Sequence, residues 1–424
     1  MIALWSSANF FATTEGWTLQ RLAPAGELQE FKHALTAKAH EQFEGNLIFA
    51  LLSHGEQVAV ESMSKGKPVN LNSRFGVASL SKWVTAVGVM VLVEQGRLEL
   101  DAPVSRYLTR WQLPPSEFDN EQVTLRRLLS HTAGITDGLG HNGFAPGEPV
   151  QPLVEHLTQA QDADPGKSGK VQVGIAPGTK WLYSGGSYNL IQLIIEEVSG
   201  TSYADAMQQL VFEPLGMNNT DFTVNREAPD LATYFGENQQ PLVYPNYTSL
   251  AATGLYTTVA DLIRFTRSQI PSAVLEKPGA RVLKDSTLAA MRLPIAQVEG
   301  LDIWGAGVML FAPTQDNSFV IGHGGQSPFL NASVRLNPDN GDAIIALQTG
   351  NKEALASNLA THWTTWQTGK PDMYILNNSL PAMVMRIVVG SGIIILLAIV
   401  AGVVVFIRRK KGRQMDLNER ENRA

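Results

Sequence analysis

At 424 residues, 44% of them hydrophobic and 17% charged, the chain is long enough to bury a large core in one or two domains. A net charge of −6 and a pI near 5.8 give no reason to propose a nucleic-acid partner. With no cysteine, a disulfide framework, a thiolate zinc site and a cysteine nucleophile are all excluded.

In chain order, residues 1–25 form an N-terminal segment of unclear role. Its opening, MIALWSSANFFATT, has no basic residue and only a short, broken apolar stretch, so it does not read as a signal peptide. The main domain is expected over 26–367. Within it, 26–43 reads as an amphipathic helix, and 46–52 and 57–61 as strands paired across His54-Gly55. The apolar run 84–93 is too long for an ordinary strand and hydrophobic on all sides, which predicts a core helix stopped by Gly96. Residues 97–260 read as mostly helical with long loops, and 138–180, rich in Gly, Pro, Asp and Lys, as a surface excursion. Strands return at 305–312, 318–322, 332–336 and 343–347, and a helix closes the domain over 352–367. First and last strands flanking a helical insert predict an α+β fold, an antiparallel sheet flanked by helices with a helical subdomain.

After a stem at 368–386, residues 387–407 run without a charge, roughly 31 Å as a helix at ~1.5 Å per residue, enough to cross a bilayer. Arg408, Arg409, Lys410, Lys411 and Arg413 follow at once in a basic tail, 408–424. The positive-inside tendency then puts the tail in the cytoplasm and the large domain outside.

The most informative chemistry lies at the mouth of the core helix, in Phe75-Gly-Val-Ala-Ser79-Leu-Ser-Lys82. Residues i and i+3 share a helix face, so Lys82 can reach the hydroxyl of Ser79. A lysine in a dry pocket has its pKa pushed down and can take the proton that makes serine a nucleophile. Ser62/Lys65 and Ser64/Lys67 have the same spacing, but both run into Gly66 and Pro68, which read as a turn.

Together with Gly96-Arg-Leu-Glu-Leu-Asp-Ala-Pro-Val104, the Ser79 motif resembles the serine β-lactamase and penicillin-binding family, class C branch. So do Val123-Thr-Leu-Arg-Arg-Leu-Leu-Ser-His131-Thr-Ala-Gly134 and Pro177-Gly-Thr-Lys-Trp-Leu-Tyr183-Ser-Gly-Gly-Ser-Tyr188. Glu213-Pro-Leu-Gly-Met217, Gly254-Leu-Tyr-Thr-Thr258 with Asp261-Leu262, and Gly322-His323-Gly-Gly325 complete the pattern, from about 46 to about 351 in the family's order. The resemblance implies the sheet-and-helix architecture above, with the site in the cleft between the sheet and the helical part.

It also implies roles. Ser79 is the nucleophile, Lys82 its base, and Tyr183 the group that passes a proton to the leaving group; the backbone N–H groups of Ser79 and Gln326 form the oxyanion hole. A phenol is a poor base unless a cation holds its anion, which a protonated Lys82 would do. His323 stands where relatives carry the lysine of Lys-Thr-Gly; with Gly324 and Gly325 it is expected to bind substrate along a strand edge, its imidazole donating to a carboxylate or to Tyr183. Gly185 stands where class C enzymes place an asparagine side chain, two residues after the tyrosine. Losing that amide and the fixed cation makes potent β-lactamase activity doubtful. His131 is read as structural, holding a loop beneath the site, because no Gly-x-Ser-x-Gly elbow supports a Ser-His-Asp triad.

The chain therefore reads as a membrane-anchored serine hydrolase of the bacterial envelope, single-pass, cleaving an ester or amide, including D-amino-acid-containing peptides, through a Ser79 acyl-enzyme. A β-lactamase or peptidoglycan acyl-transferase, and a catalytically silent envelope binding protein, are the alternatives. Small-molecule or peptide substrates and the membrane are the expected partners. No cofactor or metal is expected, since the eight histidines show no ligand spacing.

Overall fold

The computed structural model describes residues 1–421 apart from 18, 138, 140, 237, 278, 317 and 351–353. It divides into two compact units, 21–368 and a smaller one combining 1–20 with 369–424.

The larger unit is organised on an eight-stranded antiparallel sheet. Its strands are β1 (Asn46–Ser53), β2 (Glu56–Ser64), β3 (Ala296–Val298), β4 (Leu301–Trp304), β5 (Met309–Pro313), β6 (Phe319–Ser327), β7 (Leu330–Asn337) and β8 (Asp342–Thr349), in spatial order β2-β1-β8-β7-β6-β5-β4-β3. β1 and β8 come from opposite ends of the unit and pair from Asn46↔Thr349 to Leu52↔Ala343. Their sequences, NLIFALLS and DAIIALQT, are nearly continuous apolar runs rather than alternating ones because helices cover both faces. On one face lie α1 (Leu28–Gln42) and α5 (Leu355–Thr368), locked by the rings of Phe31 and Trp366 stacked 4.4 Å apart. Against the other packs α2 (Ser81–Glu94), whose Trp83, Val84, Val87, Val89 and Leu92 are all buried. Each fully buried side chain of this size contributes about 1.5–3 kcal/mol, enough in sum to hold a polar group in the same helix out of water.

Between β2 and β3 lies the helical part, built on α3 (Gly185–Ser199), α4 (Leu250–Thr253) and several short helices linked by long loops. The α+β architecture expected from the sequence is the one observed, including the hairpin at His54-Gly55 and the end of α2 before Gly96. Three details differ, the first being that the strand expected from Gly305 begins only at Met309. Strands β3 and β4 had no sequence expectation; they are short, three and four residues, with partly exposed faces. The strand expected to stop at Gly322 continues to Ser327, because His323 through Ser327 stay in register with β7. The start of the closing helix at 352, and positions 138 and 140 of the loop excursion, lie outside the described residues.

In the smaller unit, helix Ile2–Thr14 carries no charge and buries no residue, and packs against helix Met373–Glu421. The Trp5 indole donates to the Arg386 carbonyl at 3.1 Å. Of the stretch 368–386 read as a stem, residues 373–386 are the first turns of that 49-residue helix. One helix among the described residues is long and apolar enough to cross a membrane, with a mean hydropathy of 2.9 over its most apolar window.

Candidate active site

Ser79 sits in a single 3-10 turn, Ala78–Leu80, that precedes α2. The strand-like segment before it pairs Phe75 with Thr257 and Gly76 with Tyr256. The Val77 N–H donates to the Leu255 carbonyl (3.0 Å), and Ser81 Oγ donates to the Ala78 carbonyl (2.6 Å) while accepting from the Leu255 N–H (3.1 Å). These bonds hold Ala78 at φ +43°, a left-handed conformation that costs a residue with a Cβ about 1 kcal/mol or more. The turn leaves Ser79 partly exposed while its neighbours on both sides are buried.

Lys82, one turn on, is 1% exposed. Its Nζ lies 3.1 Å from Ser79 Oγ and 2.7 Å from the carbonyl of Ala252 in α4. Burial drives its pKa from 10.5 down to about 7, and the nearby Asp137 carboxylate opposes that fall. At about 1.4 kcal/mol per tenfold, this is on the order of 5 kcal/mol of penalty on the charged form. The two other Ser-x-x-Lys pairs take no part. Ser64 is on β2, where its Oγ accepts from the Val69 N–H, Lys65 bonds Gln239, and Lys67 reaches the Pro229 carbonyl.

Tyr183 lies in the loop before α3. Its ring packs on His131 at a 34° tilt, centroids 4.3 Å apart, and faces Lys82 Nζ at 4.9 Å from the centroid. The expectation that Lys82 would favour the phenolate is not met. Desolvation pushes the phenol's pKa up, the Asp137 charge adds to this, and only its hydrogen bond with Ser79 works against it. Tyr183 is still 40% exposed, so its surroundings, the Asp137 carboxylate among them, and not full burial set that direction.

His131 is fully buried at φ +58°, accepts the Ser184 N–H on Nδ1 at 3.1 Å, and is held neutral by burial and by Lys82. Its place is beneath Tyr183, among Trp181, Tyr188 and Trp304.

β6 passes beside the Ser79 turn. β5 pairs with it only as far as Gly322, so 323–327 keep one edge without a strand partner among the described residues. Gly325 is needed for the close approach, because a β-carbon there would collide with the Val77 carbonyl oxygen. Gly324 is partly exposed on the same stretch, and Gln326 beyond it is exposed. His323 corrects its expectation. The ring is 1% exposed, edge-on to Trp304, its Nδ1 2.6 Å from the Gly324 carbonyl oxygen. Desolvation first, then Lys82, lowers its pKa to about 3, so it offers a substrate carboxylate no cation.

Gly185 opens α3, and the space on its Cα is filled from another loop. A β-carbon at Gly185 would collide with His141 Nε2. Gly185 thus offers the cleft no side chain and makes room for an imidazole.

Asp137 and His141 had no sequence expectation. Asp137 Oδ2 accepts from Ser184 Oγ (2.6 Å) and from the Gly186 N–H (2.7 Å), tying the Tyr183 loop to the start of α3. Asp137 immediately precedes the stretch 138–180 read as a surface excursion, and His141 lies at its head. The available signal was Ile135-Thr-Asp137, a carboxylate directly after two β-branched residues rather than inside the polar run.

The Beta-lactamase family model matches residues 35–363. This chain belongs to that family. It is 33% identical over 198 residues to Penicillin-binding protein 4* of Bacillus subtilis (strain 168), a match covering 46% of this chain and 41% of that protein. With Penicillin-binding protein 4 of Amycolatopsis lactamdurans the identity is 30% over 301 residues, 67% of this chain and 74% of that protein. With Esterase EstB of Burkholderia gladioli it is 30% over 184 residues, 41% and 44%. The chain thus spans less than half the length of the first and third of these relatives.

Proposed function

We propose that this chain is a serine hydrolase that cleaves esters or amides of small acyl groups and peptides through an acyl-enzyme on Ser79. The observation that carries the reading is Lys82: a lysine with a pKa near 7, buried, 3.1 Å from a serine hydroxyl in an open cleft. A silent binding protein has no use for a cation held at that cost.

In this reading the neutral Lys82 amine takes the Ser79 proton as Oγ adds to the substrate carbonyl. The Ser79 N–H makes no hydrogen bond among the described residues and, with the Gln326 N–H, holds the oxyanion. Tyr183, whose phenol keeps its proton, delivers it to the leaving group as the bond breaks, and the ammonium of Lys82 is the proton source that restores it. Water then attacks the acyl-enzyme by the same steps in reverse order. Gly324 and Gly325 let the substrate lie along the free edge of β6. The neutral, buried His323 and the filled space at Gly185 favour ester and peptide substrates over β-lactams. The names of the relatives, two penicillin-binding proteins and an esterase, agree with that substrate range, and the motifs around Ser79, Tyr183 and His323 support a class C-like reading.

The same reading anchors the enzyme by residues 387–407, with the basic tail in the cytoplasm and residues 21–368 outside. Protease added outside spheroplasts then digests the domain and leaves a fragment containing 387–424; protection of the domain reverses the orientation.

Fluorophosphonate labelling of the full chain in detergent tests the chemistry. Label appears on the parent and is lost in Ser79→Ala, while Ser62→Ala and Ser64→Ala retain it. Label that persists in Ser79→Ala overturns the mechanism.

A further inference from the structure

Helix Ile2–Thr14 is an apolar element that neither the core nor the mechanism uses. None of its residues is charged and none is buried. Leu4 is 75% exposed, and Ile2, Trp5, Phe10 and Phe11 are each 39–49% exposed, so apolar surface runs right round the helix. A helix apolar on all sides belongs in a core or in lipid, and this one enters no core. Its 13 residues span about 20 Å at ~1.5 Å per residue, too short to cross a bilayer alone.

What it packs on decides where it lies. Trp5 sits against Gly390 of the long helix, where any β-carbon would strike the indole nitrogen. Around that contact Trp5 shares an apolar hollow with Met385, Val389, Ile393 and Ile394. Small residues allow such close approach between helices in a membrane. Toward its other end, the Arg386 guanidinium donates to Thr13 Oγ1 at 3.3 Å, and just beyond the helix Glu15 pairs with Lys370. The two helices therefore run antiparallel. The apolar end of the first lies beside the first third of the uncharged span 387–407, and its polar end lies beside the charges that precede the span. Trp17 follows at the polar end, 66% exposed, where an amphipathic aromatic suits a membrane surface.

We propose that helix Ile2–Thr14 is a lipid-binding element, its apolar end embedded in the acyl chains of the leaflet that holds residues 387–394. The anchor is then a two-helix wedge rather than a single span. Lipid is the occupant because the exposed apolar surface of the short helix continues that of the span on which it packs. The proposal rests on the reading of 387–407 as the membrane span.

The chain has no cysteine, so single introduced thiols report position. The full chain carrying Leu4→Cys, Leu397→Cys or Glu41→Cys is placed in nanodiscs of phosphatidylcholine and phosphatidylglycerol, both faces open to water, and reacted with a membrane-impermeant maleimide. Leu397 lies in the span, and Glu41 is an exposed residue of the larger unit. Leu4→Cys should react about 10-fold or more slowly than Glu41→Cys, as Leu397→Cys does, because the reactive thiolate does not form in hydrocarbon. A fluorophore attached at position 4 should be quenched by lipids carrying a nitroxide on the acyl chain, and one at position 41 should not. If Leu4→Cys reacts as fast as Glu41→Cys while Leu397→Cys is protected, the proposal is overturned and the single span stands. Protection at position 4 without quenching by nitroxide lipid assigns that surface to a neighbouring protein chain and also overturns it. Rapid reaction of Leu397→Cys is a separate failure, since it removes the span itself and the proposal with it.

Discussion

Lys82 Nζ stands over the face of the Tyr183 ring, 4.9 Å from its centroid, rather than in line with the phenol. A cation over an aromatic face gains about 0.5–2 kcal/mol, too little to reverse the burial penalty on Lys82. The two groups therefore separate in proton affinity. Lys82 gives up its proton near pH 7, and Tyr183 keeps its own.

That separation predicts the pH profile. The base must be unprotonated, so kcat/KM rises with pH through a limb near 7 and stays level on the alkaline side, where the phenol remains protonated. Asp137 raises the Lys82 pKa, so Asp137→Asn moves the limb to lower pH, and its amide oxygen can still accept from Ser184 and Gly186. Ester hydrolysis from pH 5 to 9.5 is the measurement. A limb that stays put or moves up removes Lys82 as the titrating base.

The same lysine sets a stability trade. Its folded pKa of about 7 lies below the unfolded value of 10.5, so between them the unfolded chain binds more protons and stability rises with pH. Below pH 7 both states are protonated and the folded state carries the full penalty. Lys82→Met should therefore be inactive yet more stable than the parent at pH 6, by up to a few kcal/mol, with the gap closing toward pH 10. Lys82→Arg, unable to shed its charge, should be inactive and less stable at every pH. Chemical denaturation at pH 6 and 9.5 reads both, and a gap that widens with pH refutes the assignment.

Much of the site was legible because its parts are local. Ser79 and Lys82 are one helical turn apart, the apolar run after them announces a buried helix, and the continuous apolar strands announce a sheet covered on both faces. What escaped depends on distance in the chain. His141 meets Gly185 and Ser249 across gaps of 44 and 108 residues, and nothing in a polar Gly-rich loop marks one histidine as turned inward. His323 failed for another reason. Its position at a strand edge suggests exposure, but Trp304 from the unexpected β4 covers it.

His131 supports Tyr183 without touching the reacting atoms. Replacing it with Ala leaves the buried Ser184 N–H without an acceptor and opens space under the phenol ring, together about 2–4 kcal/mol. Asn offers a side-chain acceptor and tolerates the positive φ, so His131→Asn should lose about 1 kcal/mol less than His131→Ala. Both should lower kcat more than they raise KM. Equal stability of the two variants would show that the acceptor does not matter.

An asparagine at 185 is the natural way to test for latent β-lactamase chemistry, and the structure predicts that it fails alone. A β-carbon there collides with the His141 ring, which is held by Ser249 and cannot simply swing aside. Gly185→Asn should lose about 1–3 kcal/mol of stability, the usual cost of overpacking, and lose esterase activity with it. Adding His141→Gly empties the space and suits the φ of +55° at that position, so the double variant should regain most of that stability. In the double variant the new amide can bond a substrate amide, and an ester gains less from it. Its ratio of kcat/KM for nitrocefin over p-nitrophenyl acetate should therefore exceed that of the parent and of His141→Gly alone. The two positions share one contact, so their effects should be far from additive. Additive stability losses in the double-mutant cycle would mean that His141 does not occupy the space beside Gly185.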